Sequence, residues 1–213
     1  IVAGELAGTT GSITANGGSA RYTYAGGAGG GRIAIRLTGE DSVFTDYWRT
    51  NITAYGFSFA TGKHGRDSSA GTVYLQDGTM PEAAGEVVIY NDFALQPDAI
   101  NNLCTTRYPG NGEGCDAPET LKATSLTVSG AARVELTDSV SIKSAFIDED
   151  CLIDLAGHTL KVKTVNINGL KLGAGEYTAA QLEGKGAIEV IDSSESLTGV
   201  LHVLGEGLII MIR

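Results

Sequence analysis

Hydrophobic and polar positions alternate along this chain in short runs of three to eight residues, and glycine or an Asn/Asp turn closes most of them. Within residues 1–98 the pattern predicts strands at Arg32–Leu37, 52–59, Thr72–Gln76 and Glu86–Tyr90. From residue 120 glycine thins and the runs crowd together, at Ser125–Ser129, 133–137, 139–143, 152–155, 159–163, 165–167 and 187–191. Several have one apolar face, such as Val140/Ile142, or Leu160/Val162 alternating with Lys161/Lys163. No stretch of the first region sustains an i, i+3, i+4, i+7 pattern, so crossover helices are not expected there. Residues 176–182 (EYTAAQL) are read as the only helical turn.

The runs also repeat. Ile13-Thr-Ala-Asn-Gly, a glycine-rich interval and Gly31-Arg-Ile-Ala-Ile-Arg are followed by Ile52-Thr-Ala-Tyr-Gly, a similar interval and Gly71-Thr-Val-Tyr-Leu-Gln. The step from Ile13 to Ile52 and the step from Gly31 to Gly71 differ by a single position, so one gap aligns the two units. A fixed period of about 40 residues marks stacked units, each burying its apolar face against its neighbours. Short strands that each turn a corner into the next predict an all-β chain folded as a right-handed parallel β-helix. A β-sandwich, the alternative, favours longer strands joined by hairpins. The expected organisation is glycine-rich β-helical repeats at 1–98, a cysteine-bracketed loop at 99–119, a second β-helical segment at 120–192 and a C-terminal strand segment at 193–213.

Composition narrows the function classes. Glycine supplies 30 of 213 residues, about twice its usual ~7% share, without the triplet period of collagen. The run at 26–31 resembles a phosphate loop, but a strand follows it where a dinucleotide site needs a helix N-terminus. It reads as a corner between stacked units. The formal net charge of −10 makes nucleic acid and anionic membranes poor partners. The apolar run at 208–212 is far shorter than the ~20 residues of a membrane-spanning helix. Ile1-Val-Ala-Gly-Glu5 has no basic leader, and the chain is expected to be a processed or internal piece of a longer precursor.

Cys104 and Cys115 bracket the loop CTTRYPGNGEGC. A disulfide there would stabilise by roughly 3 kcal/mol in the chain-entropy model and would point to an oxidising compartment. Two unpaired thiols are the alternative. Cys151 opens a strand and reads as a small buried hydrophobe, with an intermolecular link as the lesser reading.

Candidate chemistry is sparse. Asp148-Glu149-Asp150 reads first as a solvated turn, with Asp148 and Asp150 as weak Ca²⁺ candidates. Consecutive acids on one turn point in different directions and make a poor catalytic pair. His64, His158 and His202 are scattered singly, without zinc-ligand spacing. No catalytic residue and no cofactor other than Ca²⁺ is expected. Eight of the 14 aromatics fall between residues 22 and 59, so a local aromatic cluster is expected there. Tyr47, Trp48, Tyr55, Phe57 and Phe59 read as packing or protein–protein contact, with glycan contact second.

The order ITANGG…GGAGGGRIAIRL, GTVYLQD, GEVVIYND, then DLAGHTLKVKTVNINGLKLGAGEYTAAQL and GKGAIEVI resembles large secreted bacterial β-helical surface proteins, of the adhesin-like or autotransporter-passenger-like kind with degenerate glycine-rich repeats. The motifs lie within 11–92 and 152–192, and the cysteine loop departs from the pattern. The resemblance implies an extracellular or cell-surface parallel β-helix with a structural or adhesive role. The expected function is therefore non-enzymatic, working through self-association or contact with other surface subunits by strand addition at exposed rungs. A carbohydrate-active or glycan-binding β-helix acting on an acidic polysaccharide is the alternative.

Overall fold

The computed structural model describes residues 1–18, 27–56, 68–91, 104–109 and 118–205. Its regular structure is almost entirely β. The described strands are β1 (Val2–Ala3), β2 (Ile13–Thr14), β3 (Arg32–Leu37), β4 (Ile52–Thr53), β5 (Thr72–Gln76), β6 (Glu86–Tyr90), β7 (Thr106–Tyr108) and β8 (Ser125–Ser129). They continue with β9 (Arg133–Leu136), β10 (Val140–Ile147), β11 (Leu152–Asp154), β12 (Thr159–Ile167), β13 (Leu170–Lys171), β14 (Gly175–Thr178), β15 (Val190–Ile191) and β16 (Val200–Val203).

One ten-stranded sheet runs β1-β3-β5-β6-β8-β10-β12-β16-β14, with β13 beside β12. A second sheet runs β15-β11-β9-β7, and β2 pairs with β4. From β6 to β12 successive strands alternate between the long sheet and the second sheet. Pairing is parallel except at β5–β6, β12–β13 and β14–β16. The register follows the sequence repeat: Ile13 pairs with Ile52, and Arg32 with Thr72. Further on the spacing halves, with Ser125 paired to Ser144 and Ser144 to Thr164.

Inward residues of the two sheets meet in one core. Val140, Leu160 and Leu201 form a buried column on the long sheet, sharing one core with Val134, Leu136 and Ile153 of the second sheet and with Leu155 just beyond β11. A separate N-terminal core joins Ile33, Ile35, Val73 and Leu75 to Ile52, Phe44 and Trp48.

The structure corrects several boundaries. Helix α1 (Asp46–Asn51) stands where no helix was expected. At six residues it is too short to show a periodic stripe. Its signal is the cap: the Thr45 hydroxyl accepts the Trp48 N–H, and Asp46 lies in the first turn. The expected strand at 52–59 is described only as β4, and Phe57 and Phe59 lie outside the described residues. The segment 176–182 is not the only helical turn, and it divides. It is strand to Thr178 and helix α2 over Ala179–Glu183, started by a capping box between Thr178 and Gln181. The runs at 159–163 and 165–167 are one strand, β12, and 187–191 shrinks to β15.

Two aspartates tie the C-terminal turns together. Asp154 Oδ1 accepts the N–H groups of Ala156 and Ser193, both at 2.9 Å. Asp192 accepts from Gly157 N at 2.8 Å, Ser194 N at 3.1 Å, Ser194 Oγ at 2.7 Å and Gly199 N at 2.6 Å. Desolvation alone would raise the Asp192 carboxyl, but these donors outweigh it and hold the group below the ordinary aspartate value. Because the folded value is the lower one, the contribution is complete above the unfolded value of about 3.9 and is lost as pH falls through the folded one. Asp192→Asn keeps one acceptor oxygen and turns an NH₂ toward a donor. It is expected to cost about 1–2 kcal/mol at neutral pH, solvent screening at the half-exposed site keeping the figure low. The gap between wild type and variant in urea midpoint should close as pH is lowered from 7 toward 3. A gap that stays constant would show that the carboxylate charge is irrelevant.

Candidate functional site

The outward face of the long sheet carries, among the described residues, a groove of about 870 Å³. Its position follows from a break in alternation shared by neighbouring strands. In β10, Ile142 is buried, Lys143 and Ser144 both turn outward, and Ala145 is buried again. In β12 the same sequence of faces is Val162, Lys163, Thr164, Val165. Two successive outward residues mean that each strand bends there, and the in-register pairing stacks one bend on the next. Lys143 therefore lies opposite Lys163, between the pairs Ile142–Val162 and Ser144–Thr164.

Two further rows cross the groove floor. Glu86, Ser125, Ser144 and Thr164 are successive register partners, and Ser144 Oγ donates to Ser125 Oγ at 2.9 Å. Thr127, Phe146, Asn166 and Lys171 form the second row. Lys171 arrives there because Asn168 and Gly169, with φ of 48° and 82°, reverse the chain into β13. Positive φ at both turn positions suits the Asn-Gly dipeptide.

The electrostatics are lopsided. Glu86, the carboxylate among the described lining residues, is already engaged: Arg49 Nη1 lies 2.7 Å from Oε2, and Thr127 Oγ1 donates to Oε1 at 2.7 Å. Arg49 also reaches Asp77 at 3.4 Å, whose other oxygen accepts the Phe44 N–H at 2.7 Å. Lys143, Lys163 and Lys171 are exposed and form no ion pair with any described residue. Phe146 is 41% exposed, and the Asn166 side-chain oxygen is buried without a hydrogen-bond partner.

No family model matches the chain, and no curated protein or solved structure matches it either.

The residues singled out from sequence lie elsewhere. Trp48 is 7% exposed inside the N-terminal core, where its ring meets Tyr47 edge-on at 5.4 Å; burial removes it from any glycan platform. The Tyr47 hydroxyl donates to the Gly11 carbonyl at 2.6 Å, and Tyr55 is half-buried. Tyr22, Tyr24, His64 and Cys115 lie outside the described residues, so the Cys104–Cys115 bridge does too. Asp148 and Asp150 flank a turn in which Asp148 Oδ1 accepts the Glu149 N–H; among the described residues no three acids, histidines or cysteines gather as a metal site. Cys151 is buried in the main core. Burial pushes its thiol up to about 11, with Asp148 and Asp150 adding to the rise and backbone hydrogen bonds from Ala132 and Ala131 opposing it. A thiol held protonated at neutral pH is a poor nucleophile. His202 Nδ1 lies 3.6 Å from Glu176 across the β14–β16 pair.

Sequence reasoning missed the groove. The available signal was the repeated order apolar–Lys–Ser/Thr–apolar, at 142–145 and again at 162–165. Read as simple alternation, it hid the bend.

Proposed function

We propose that this chain is an extracellular β-helical module of a bacterial surface protein, built as a right-handed parallel coil, which works by self-association or partner contact rather than catalysis. The observation that carries the proposal is the alternation of consecutive strands between two sheets at regular parallel registers. These step from Ser125 to Ser144 to Thr164 in the second half, and from Ile13 to Ile52 and Arg32 to Thr72 in the first. A hairpin-linked sandwich would instead pair neighbours in sequence, as happens here only at β5–β6 and β12–β13 among the described strands. Partner contact is supported by Ile188 and Leu197, both well exposed beside β15, which is an edge of the second sheet. The Cys104–Cys115 bridge belongs to the same proposal, since it would form only in an oxidising compartment.

Sedimentation velocity over a wide concentration range, with electron microscopy of the native material, tests the associative role. Growth of filaments or sheets with concentration is expected. A monodisperse monomer throughout would refute self-association. A second reading, a glycan-binding module for an acidic polysaccharide, is favoured by the groove lysines that have no counter-ion among the described residues.

A further inference from the structure

We propose that the groove over β8, β10 and β12 binds a short segment of a uronate-bearing glycan, one sugar per rung, with Lys143 and Lys163 on successive rungs and Lys171 beside them on β13. The inference deepens the second, glycan-binding reading and rests on it; it needs no self-association.

Three features select this ligand. The first is charge. In a chain with 25 acidic and 15 basic residues, three lysines converge on one concavity with no described counter-ion, while its one described carboxylate is already held by Arg49. Such cations are free to meet an anion from outside.

The second is spacing. Lys143 and Lys163 sit on adjacent strands, which lie about 4.8 Å apart. That distance is close to the length of one pyranose unit in an extended chain. A homopolymeric uronate carries one carboxylate on each unit, and the flexible four-carbon lysine stems can take up the rotation between neighbouring units.

The third is the floor. Ser125, Ser144 and Thr164 present a hydroxyl on each rung, in register; Ser144 spends its proton on Ser125 and accepts, while Ser125 and Thr164 can donate to sugar hydroxyls. Phe146, 41% exposed, offers a ring against which the C–H face of a pyranose can stack. The net charge of −10 disfavours a nucleic acid, and an acidic peptide would answer the lysines but bring few hydroxyls to the row. The groove volume is also of the size that encloses a few sugar units.

Isothermal titration calorimetry with a hexamer of a homopolymeric uronate, beside its carboxyl-reduced counterpart, tests the site. The uronate hexamer is expected to bind at least tenfold more tightly than the reduced one, and this margin should shrink as salt is raised. Lys143→Gln/Lys163→Gln should remove at least tenfold of the uronate affinity, leave the reduced hexamer unaffected and leave the thermal midpoint in place, because both lysines are exposed. Phe146→Ala should weaken both hexamers several-fold.

Native uronate affinity in the double lysine variant would overturn the proposal, as would tighter binding of a hexa-aspartate peptide or a hexanucleotide. No binding of either hexamer by the wild type would overturn it together with the glycan reading. Equal binding of the two hexamers, insensitive to the lysines, would keep the glycan reading and remove this site.

Discussion

Gly71→Ala is expected to destabilise the protein by roughly 3 kcal/mol or more, the upper end of what overpacking costs. A β-carbon on Gly71 would overlap the Gly31 carbonyl oxygen, and would stand 2.7 Å from the Gly30 carbonyl carbon and 2.8 Å from the Ala54 oxygen. All three are backbone atoms, so no side chain can rotate away. The approach is built into the stacking. Gly31 N donates to Ala15 O at 2.7 Å, Gly71 N donates to Ala54 O at 2.6 Å, and Thr72 N donates to Gly31 O at 3.1 Å. The same corner contact thus recurs in both units and joins one to the other. Where space is free, a glycine-to-alanine change tends to stabilise by about 0.4–1 kcal/mol through the unfolded state. Gly4, with nothing within 4 Å of an added β-carbon, is the matching control. Urea unfolding monitored by far-ultraviolet circular dichroism should show Gly71→Ala shifted strongly to lower denaturant and Gly4→Ala unchanged or up to about 1 kcal/mol more stable than wild type. Equal behaviour of the two would mean that the corner is not closely packed.

That corner also shows how far the sequence could be read. The ITA…Gly repeat aligned the two N-terminal units correctly because a glycine forced by backbone contact leaves its mark at every recurrence. The shortening of the repeat near residue 120 was visible as thinning glycine and crowded short runs, but not as a register. In the structure Ser125, Ser144 and Thr164 follow one another at short intervals, whereas Arg32 and Thr72 are separated by a long one. Strand identity was legible wherever inward residues alternate, as at Arg32–Leu37 and Ser125–Ser129. Helix α1 was not, since its stability comes from one cap and from Trp48 packing into a core assembled from distant strands. The groove was least legible. Its lysines come from one repeated tetrapeptide order, but its depth depends on the 171–174 segment folding back beside β12, and on residues 80–85 rising on the opposite side. Neither placement is a local property of the residues concerned.

Leu160→Ala is expected to cost about 2–5 kcal/mol, and to lower stability unevenly along the chain. Leu160 is 0% exposed and fills the middle of the column Val140–Leu160–Leu201, so the lost methyls leave a cavity between three strands. β16 is held on the long sheet by β12 on one side and by the short antiparallel β14 on the other. Loosening the Leu160–Leu201 contact therefore weakens the attachment of β16 and β14 more than that of β3 and β5, which rest on the separate N-terminal core. Amide hydrogen exchange should report this as faster exchange across β12, β16 and β14, with protection in β3 and β5 nearly unchanged. Lys161→Ala, on the outward face of the same strand, should leave stability within about 0.5 kcal/mol of wild type. The double variant Leu160→Ala/Leu201→Ala should differ from the sum of its parts by about 0.5 kcal/mol at least, because the two side chains share one cavity. A uniform loss of protection in every strand would mean that the two cores unfold as one cooperative unit. The contacts point the other way: each stack of strands is held mainly by its immediate neighbours, and damage in one column spreads along the register before it spreads across the chain.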